Sequence, residues 1–403
     1  MNLIIFLSTY LFLLFSIIGY GYVLNNYFFK LKNLNFGYLG FFGIFLLLFV
    51  SYLSHIFFAH DKIFNSIILI FGLFFFVNLL LNINKEEKKK LLFQISFFIL
   101  LIIFVLSAKN HDDFEYYHFA YIHLLTTEPT IYGIGNFNLG FRTPSSIFYL
   151  SSLFYLPKVG YDLIHIAPVF FLGFANFILI EKINFLRKVK KNYFIILLSL
   201  IALIIINIFF YRMAEHGTDR TAQIIIFLII IELLYFLNTK NIENIFLEKL
   251  YILIVLCISL KSFYVIYLLL FLPIFFYQTE KISYLLNLIK NKVFILSTLF
   301  IFVIFGFSVI NTGCAIYPLN ISCFGDLPWS LSDHHVIKAN NHYELWAKGG
   351  MAPNFIVEDP LDHIRHFNWV SNWIDIYFFN KVSDYLYSLL FIVVLFTFIF
   401  KGK

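Results

Sequence analysis

The chain has 403 residues, of which 61% are hydrophobic and 13% are charged, and its formal net charge is +6. Because soluble domains carry about 25% charged residues, this composition excludes an ordinary soluble protein. Apolar stretches of about 20 residues recur along the whole length, and each can cross a hydrocarbon core of about 30 Å as a helix. The alternating pattern of a membrane β-barrel is missing, so the sequence predicts an all-α polytopic membrane protein.

The apolar stretches predict eleven membrane helices. The first has no basic leader and no small-residue cleavage site, so we interpret it as a retained helix rather than a signal peptide. The eighth and ninth are short, and the hairpin between them carries Lys261. The predicted helices span residues 2–24, 37–59, 63–84, 91–108, 162–181, 193–211, 222–238, 249–260, 263–278, 292–311 and 382–400.

Positive charge in the connecting segments predicts the orientation of these helices. Short loops rich in Lys and Arg lie in the cytoplasm. Such loops follow the first, third, fifth and ninth predicted helices, and the last helix ends in Lys401 and Lys403. The N-terminus is therefore predicted to be extracytoplasmic and the C-terminus cytoplasmic, in the inner (plasma) membrane. Since topology explains the basic residues, we expect the lipid bilayer as a partner and no nucleic acid.

The histidines support this orientation independently of the basic residues. All twelve fall in the outer half of the predicted helices or outside them, and most Asp residues follow the same distribution. We therefore expect the side chains capable of chemistry to gather on the extracytoplasmic side. The histidines are His55, His60, His111, His118, His123, His165, His216, His334, His335, His342, His363 and His366.

The predicted organisation is one membrane domain with two long outer segments. Residues 1–90 form a three-helix N-terminal extension, and residues 91–311 form a core that contains the first outer segment, 109–161. Residues 312–381 form the second outer segment, and residues 382–403 form the last helix with a short tail.

The outer segments carry two further structural predictions. Apolar pieces such as residues 145–156 are predicted to form helices in the membrane interface. Cys314 and Cys323 have eight residues between them and lie outside the cytoplasm, where a disulfide is the expected state. Cys257 lies within a helix and is predicted to pack as an apolar side chain.

The densest polar cluster is His-Asp-Asp-Phe-Glu-Tyr-Tyr-His at residues 111–118, directly after the fourth helix. Residues three apart are neighbours on a helix, so Glu115 and His118 are predicted to share a face. Acidic residues also suit an ordinary helix N-terminus. A functional role is favoured because charges held beside lipid are costly to keep, and Asp112 and Asp113 are the candidate reactive groups.

A second cluster lies in the short loop between the sixth and seventh helices. Capping and anchoring of the following helix are the ordinary alternative to a site here. The cluster is predicted to face the same side as residues 111–118, and it comprises Arg212, Glu215, His216, Asp219 and Arg220.

Two more basic residues are candidates for an anion site. Arg142 lies in Gly-Phe-Arg-Thr-Pro-Ser-Ser at residues 140–146, and its guanidinium can bind phosphate bidentately. An ordinary start of a helix explains this motif equally well. Lys261 lies near the outer surface, where it either binds an anion or snorkels to water.

The acidic pair at the outer end of a helix, the long outer loop, the many helices and the late outer segment resemble the GT-C superfamily of membrane glycosyltransferases. Residues 112–113, 135–146 and 215–220 are also similar to a family of bacterial multipass membrane proteins. The resemblance covers residues 91–330. In the superfamily the acidic loop follows the first helix, whereas here it follows the fourth, which makes the three N-terminal helices an extension.

The resemblance implies transfer of a sugar from a polyprenyl-phosphate carrier to a glycan or lipid acceptor. It implies that Asp113, or Asp112, is the general base that takes the acceptor proton. Cationic side chains would hold the departing phosphate, and acidic side chains of the second loop would bind the acceptor or a divalent cation. The expected substrate-binding residues are Glu115, His118, Arg142, Arg212, Glu215, His216, Asp219, Arg220 and Lys261.

Two other classes of function fit parts of the sequence. A transporter or flippase would place ionisable groups near the membrane midplane, and Glu232 is the clearest candidate. A metal-dependent membrane hydrolase or transferase would use Asp112, Glu115 and His118 as candidate ligands of a divalent cation.

Overall fold

The computed structural model describes residues 2–30, 35–106, 113–190, 192–208, 218–239, 244–278, 280–352 and 354–400. The fold of these residues is all-α, with one short antiparallel pair of strands, β1 (Met351–Ala352) and β2 (Phe355–Ile356). The apolar stretches form helices because a backbone in lipid must satisfy its own hydrogen bonds.

The helices before residue 190 include the whole N-terminal part and the first long connecting segment. They are α1 (Leu3–Leu24), α2 (Phe36–His55), α3 (Lys62–Asn82), α4 (Lys85–Leu100), α5 (Ile102–Leu106), α6 (Phe119–Thr127), α7 (Ser146–Ser152) and α8 (Ala167–Val189). A π-helical turn, Phe114–His118, leads directly into α6.

The remaining helices alternate between long apolar rods and shorter pieces. They are α9 (Tyr193–Ile208), α10 (Thr218–Thr239), α11 (Asn244–Leu260), α12 (Phe271–Tyr277), α13 (Lys281–Lys290), α14 (Lys292–Thr312), α15 (Asp333–Ala347), α16 (Pro360–Ile364), α17 (Val370–Trp373) and α18 (Ser383–Phe400). A 3₁₀ helix, Ser262–Leu270, precedes α12.

Polar side chains set the starts of several long helices. Asn35, Asp61 and Asn84 accept hydrogen bonds from free backbone N–H groups at the starts of α2, α3 and α4. Asn291 does the same for α14. Short polar side chains are preferred at this position because they satisfy donors that have no partner within the helix, so the sequence marks these helix boundaries locally.

Seven described helices are long and apolar enough to cross a membrane. They are Leu3–Phe29, Phe36–His55, Lys62–Asn82, Lys85–Leu106, Ile164–Val189, Thr218–Thr239 and Lys292–Thr312. Shorter apolar helices span Tyr193–Ile208, Ser262–Tyr277 and Ser383–Val394, and α11 completes the set. A helical segment therefore lies at each of the eleven predicted positions, whereas eleven complete crossings remain a prediction.

The segment Ser262–Tyr277 is short in residues but extended in space. Its first nine residues are 3₁₀-helical, and a 3₁₀ helix rises about 2.0 Å per residue instead of 1.5 Å. The whole segment therefore reaches about 28 Å, which is close to the thickness of a hydrocarbon core. Winding as a 3₁₀ helix lets this chain segment match the longer rods beside it.

The three N-terminal helices are packed into the rest of the bundle. Gly21 of α1 and Gly43 of α2 allow the two backbones to touch, because a Cβ on Gly43 would lie 1.8 Å from the carbonyl oxygen of Ile17. Small residues permit such close helix contacts in membranes. α2 also packs against α8, α11 and α14, so it lies at the centre of the bundle.

The prediction that residues 145–156 lie in the membrane interface was wrong for α7. Every residue of this helix is buried, and it packs against α2, α6, α8 and α11. Tyr149 of α7 stacks on Tyr52 of α2 with ring centroids 3.9 Å apart. The apolar composition that suggested an interfacial helix instead reflects burial on all sides within the protein.

Candidate functional site

Residues after α6 lie against one end of the bundle. Two backbone hydrogen bonds fix this segment to helix ends: Thr130 N–H donates to the His55 carbonyl at 3.0 Å, and Gly133 N–H donates to the Ile310 carbonyl at 2.8 Å. The C-terminal ends of α2 and α14 therefore meet the residues that follow α6, and the candidate site lies at this end of the bundle.

Asp113 lies at the start of the π-helical turn Phe114–His118. The wider turn of a π-helix, with its i→i+5 hydrogen bonds, changes which residues share a face. Tyr117, four residues later, forms a side-chain hydrogen bond with Asp113. The tyrosine O–H is the donor and the carboxylate is the acceptor, so Asp113 is held by a neighbour on its own turn.

The ring of Tyr117 has a fixed position between the turn and the loop that follows α6. It lies against Gly140, where an added Cβ would be 2.2 Å from the tyrosine Cγ. The ring of Phe148 lies edge-on to it, with centroids 6.2 Å apart. Burial, and then the charges of Asp113 and Asp219, raise the pKa of Tyr117 well above its usual value, so the hydroxyl stays protonated and remains a donor.

Asp219, Lys261 and Tyr264 form the other half of the site. Asp219 is in the first turn of α10 and makes an ion pair with Lys261. Lys261 lies between α11 and the 3₁₀ helix that starts at Ser262. Tyr264 adds a side-chain hydrogen bond to the Asp219 carboxylate. The Asp219 side chain is 54% exposed and that of Lys261 is 32% exposed, so solutes can reach this ion pair.

The two halves meet at Tyr117, because the negative charges of both Asp113 and Asp219 act on its hydroxyl. Residues separated by more than 100 positions in the sequence thus surround one tyrosine. We name the set Asp113, Tyr117, Asp219, Lys261 and Tyr264 the Asp113–Lys261 cluster. It offers carboxylates that accept protons, a cation and two phenolic hydroxyls within one partly exposed region.

Arg142 lies beside this cluster and is held by two hydrogen bonds. Its Nε donates to the Gly135 carbonyl at 2.9 Å, and its Nη1 donates to the Tyr317 hydroxyl at 3.2 Å. A guanidinium has five N–H donors, so these contacts leave capacity for an anion. Arg142 also acts electrostatically on Tyr343 of α15, which brings the segment after α14 to the same place.

That segment begins with a stapled loop. Cys314 and Cys323 form the predicted disulfide, and Cys257 is buried in α11 without one. A small apolar core surrounds the disulfide and contains Cys314, Tyr317, Leu331, Val336 and Ala339. Since Tyr317 contacts Arg142, the staple connects α15 to the candidate site.

Other predicted site residues are not brought together. Glu115 is exposed and His118 is buried, so the predicted shared face was wrong because the turn is π-helical. No group of three His, Cys, Asp or Glu side chains within the described residues could hold a metal ion. Arg220 is partly buried in the first turn of α10. Predictions on Asp112, Arg212, Glu215 and His216 lie outside the described residues.

Three tyrosines of the site were missed in the sequence. Tyr117 stands inside the 111–118 motif, and Tyr264 follows Lys261 by three residues, so nearness to a charged candidate could have suggested both. Tyr343 has no such signal, because its place beside Arg142 depends on how the segment after the disulfide folds back.

Glu232, the candidate transport residue, is engaged at the opposite end of the bundle. Its carboxylate accepts a hydrogen bond from Tyr38 and pairs with Lys182 at 2.6 Å. The glutamate and lysine side chains are only 7% and 12% exposed. A buried carboxylate needs such partners, so these contacts explain Glu232 as a link between α2, α8 and α10.

The full chain, residues 1–403, matches the model of a family described as a domain of unknown function (DUF8201), and the protein belongs to this family. No curated protein and no solved structure matches the chain.

Proposed function

We propose that this DUF8201 family member is a membrane glycosyltransferase. It moves a sugar from a polyprenyl-phosphate carrier to an acceptor on the extracytoplasmic face, in the assembly or modification of a cell-surface glycan. The observation that carries the proposal is the meeting of Asp113 with the Asp219–Lys261 ion pair at Tyr117. Sugar transfer from a lipid phosphate needs both a base and a cation, and this cluster supplies both.

In the proposed reaction Asp113 acts as the base and Lys261 stabilises the leaving group. Asp113 accepts the proton from the attacking hydroxyl of the acceptor, while that oxygen forms a bond to the anomeric carbon of the sugar. The bond from this carbon to the phosphate oxygen breaks, and its electron pair leaves with the polyprenyl phosphate. Lys261 stabilises the negative charge of the departing phosphate, as a preorganised cation can do.

Tyr117 and Asp219 position the reacting groups. The O–H of Tyr117 donates to Asp113 and orients its carboxylate toward the acceptor. Asp219 holds the Lys261 ammonium, which has three donors and keeps donors for phosphate after pairing with one carboxylate. Arg142 supplies a second positive charge at the edge of the cluster through donors that Gly135 and Tyr317 do not use.

The orientation of the chain agrees with this chemistry. The lysine-rich segments around residues 85–90 and 281–292 are assigned to the cytoplasm by the positive-inside rule. The Asp113–Lys261 cluster is then extracytoplasmic, where a lipid-linked sugar meets a surface glycan.

Complementation of a deletion strain tests the proposal. Wild-type protein should restore the cell-surface glycan, whereas Asp113→Asn and the double variant Asp112→Ala with Asp113→Ala should not, although all three reach the membrane. Glu128→Gln is the matched control, because Glu128 is an exposed acid in the same segment. Full restoration of the glycan by Asp113→Asn would refute the assignment of the base.

A further inference from the structure

The first turns of α15 are fixed to the candidate site, and the last turns expose an aromatic stripe. Ala339 is buried in the small core beside Tyr317, and Tyr343 follows it by four residues. Trp346 follows His342 by four positions and Tyr343 by three, so its side chain is a neighbour of both on the helix surface. Tyr343 is 39% exposed and Trp346 is 40% exposed.

The stripe is polar as well as aromatic. Among the described residues, the hydroxyl of Tyr343, the ring nitrogens of His342 and the indole N–H of Trp346 have no hydrogen-bond partner. By contrast, Trp329 donates its N–H to the Val309 carbonyl and Trp369 donates to the His366 carbonyl. Trp346 therefore combines an exposed ring face with an unused donor.

The surroundings hold the stripe in place. The Tyr377 hydroxyl donates to the Trp346 carbonyl at 2.9 Å, and the rings of His342 and Trp346 are 6.3 Å apart at 36°. On the next turn Lys348 pairs with Glu344 and donates to the Ile364 carbonyl. A binding surface on such a fixed helix loses little entropy when a ligand binds.

We propose that His342, Tyr343 and Trp346 form a saccharide subsite that receives the acceptor glycan. A pyranose ring has an apolar C–H face, which stacks on an aromatic ring, and an equatorial rim of hydroxyls, which needs donors and acceptors. The stripe supplies both, and its Tyr343 end lies within the electrostatic range of Arg142 beside the reacting groups. A saccharide bound on Trp346 therefore extends toward the Asp113–Lys261 cluster.

This subsite rests on the proposed function and names the part of the chain that recognises the acceptor. A lipid acyl chain is a poorer occupant, since it would bury three unused polar groups without hydrogen bonds.

Binding without turnover tests the inference. Oligosaccharides released by mild acid from the surface glycan of the same cells are titrated onto the purified full chain in lipid nanodiscs, with saturation-transfer NMR as readout. Wild-type protein and Asp113→Asn should bind equally, and Trp346→Ala should bind about tenfold more weakly. Trp346→Phe should retain part of the affinity, and Phe367→Ala, which removes an 80% exposed ring from the same segment, should bind as wild type.

Equal binding by wild type and Trp346→Ala, or no binding at all, would overturn the subsite. So would strong quenching of Trp346 fluorescence by lipids brominated near the headgroup, since that places the ring in the membrane. An active Asp113→Asn variant together with weak binding by Trp346→Ala would refute the transfer reaction and leave the subsite standing. An inactive Asp113→Asn variant together with normal saccharide binding by Trp346→Ala would refute the subsite and leave the transfer reaction standing.

Discussion

The charged side chains of the candidate site are oriented by hydrogen bonds and ion pairs with neighbouring side chains. Asp113 is oriented by Tyr117, and Lys261 is oriented by Asp219. The sequence allowed each charged residue to be selected as a candidate, since Asp113, Asp219 and Lys261 stand in polar clusters beside apolar helices. It did not reveal the tyrosine between them, because that contact joins segments distant in the chain.

Lys261 is predicted to hold the phosphate of the carrier. Replacing it with Ala removes the positive charge opposite the leaving group, and loss of such electrostatic stabilisation lowers rates by about 10²–10³. Native mass spectrometry with undecaprenyl phosphate as the probe should show retention by wild type and weak retention by Lys261→Ala. Lys158→Ala, an exposed lysine of the first long segment, is the control; equal retention by both variants would contradict the role.

His60 is predicted to make stability depend on pH. Its Nδ1 lies 2.7 Å from the Ser152 hydroxyl and its Nε2 lies 3.2 Å from the Ser51 carbonyl. Burial and the nearby His55 lower the pKa of His60 to about 3, whereas an unfolded histidine has a pKa of about 6.5. The unfolded chain therefore binds the proton first, and stability is lost as pH falls from about 6.5 toward 3.

The expected loss is about 3 kcal/mol by pH 4. It should appear as a falling melting temperature of detergent-solubilised protein between pH 7 and pH 4. His60→Gln has no titrating ring at this position, so its melting temperature should be lower at pH 7 and vary less with pH. Parallel pH curves for the two proteins would show that His60 is not responsible.

At the scale of elements, the local sequence predicted the positions of the helices better than it predicted what surrounds each helix. Apolar stretches and the polar caps Asn35, Asp61 and Asn84 explain where the rods lie. Two elements departed from expectation: α7 is buried inside the protein rather than in the interface, and Phe114–His118 is a π-helical turn. Both outcomes depend on tertiary packing, because an apolar helix suits protein and lipid equally and a π turn has no strong local signature.

Gly140 is predicted to be required for activity through the position of Tyr117. Gly140→Ala would place a Cβ 2.2 Å from the Tyr117 Cγ, so the ring must move and its hydrogen bond to Asp113 is lost. We expect more than tenfold lower glycan restoration by this variant, with a normal amount of protein in the membrane. Gly325→Ala meets no heavy atom within 4 Å and should behave as wild type; equal activity of the two variants would contradict the role of Tyr117.

The whole molecule is a helical bundle with a different polar cluster at each end. One end contains the buried contacts of Glu232 with Lys182 and Tyr38. The other end contains the Asp113–Lys261 cluster. The fold class and the gathering of candidate residues on one side were accessible from composition and from the order of basic loops. The disulfide after α14 was also predicted, but the shape of that segment was not, since it depends on contacts with Arg142 that join distant parts of the chain.

The orientation of the bundle is open to a direct test by reporter fusions. Green fluorescent protein fused after Lys403 should fluoresce, because that end is predicted to be cytoplasmic. Alkaline phosphatase should be active when fused after Glu128 and inactive when fused after Lys188, because basic loops stay in the cytoplasm. Active phosphatase after Lys188 would reverse the orientation and remove the Asp113–Lys261 cluster from the extracytoplasmic face.

The central claim is that Asp113 drives sugar transfer from a polyprenyl phosphate. Cells that carry only the Asp113→Asn variant should accumulate the lipid-linked sugar. A lipid extract of these cells is then mixed with purified protein and with the surface-glycan fraction. Mass spectrometry then follows the release of free polyprenyl phosphate. We predict release by wild-type protein and by Glu128→Gln but at least 10²-fold less by Asp113→Asn, and release by Asp113→Asn at the wild-type rate would contradict the account.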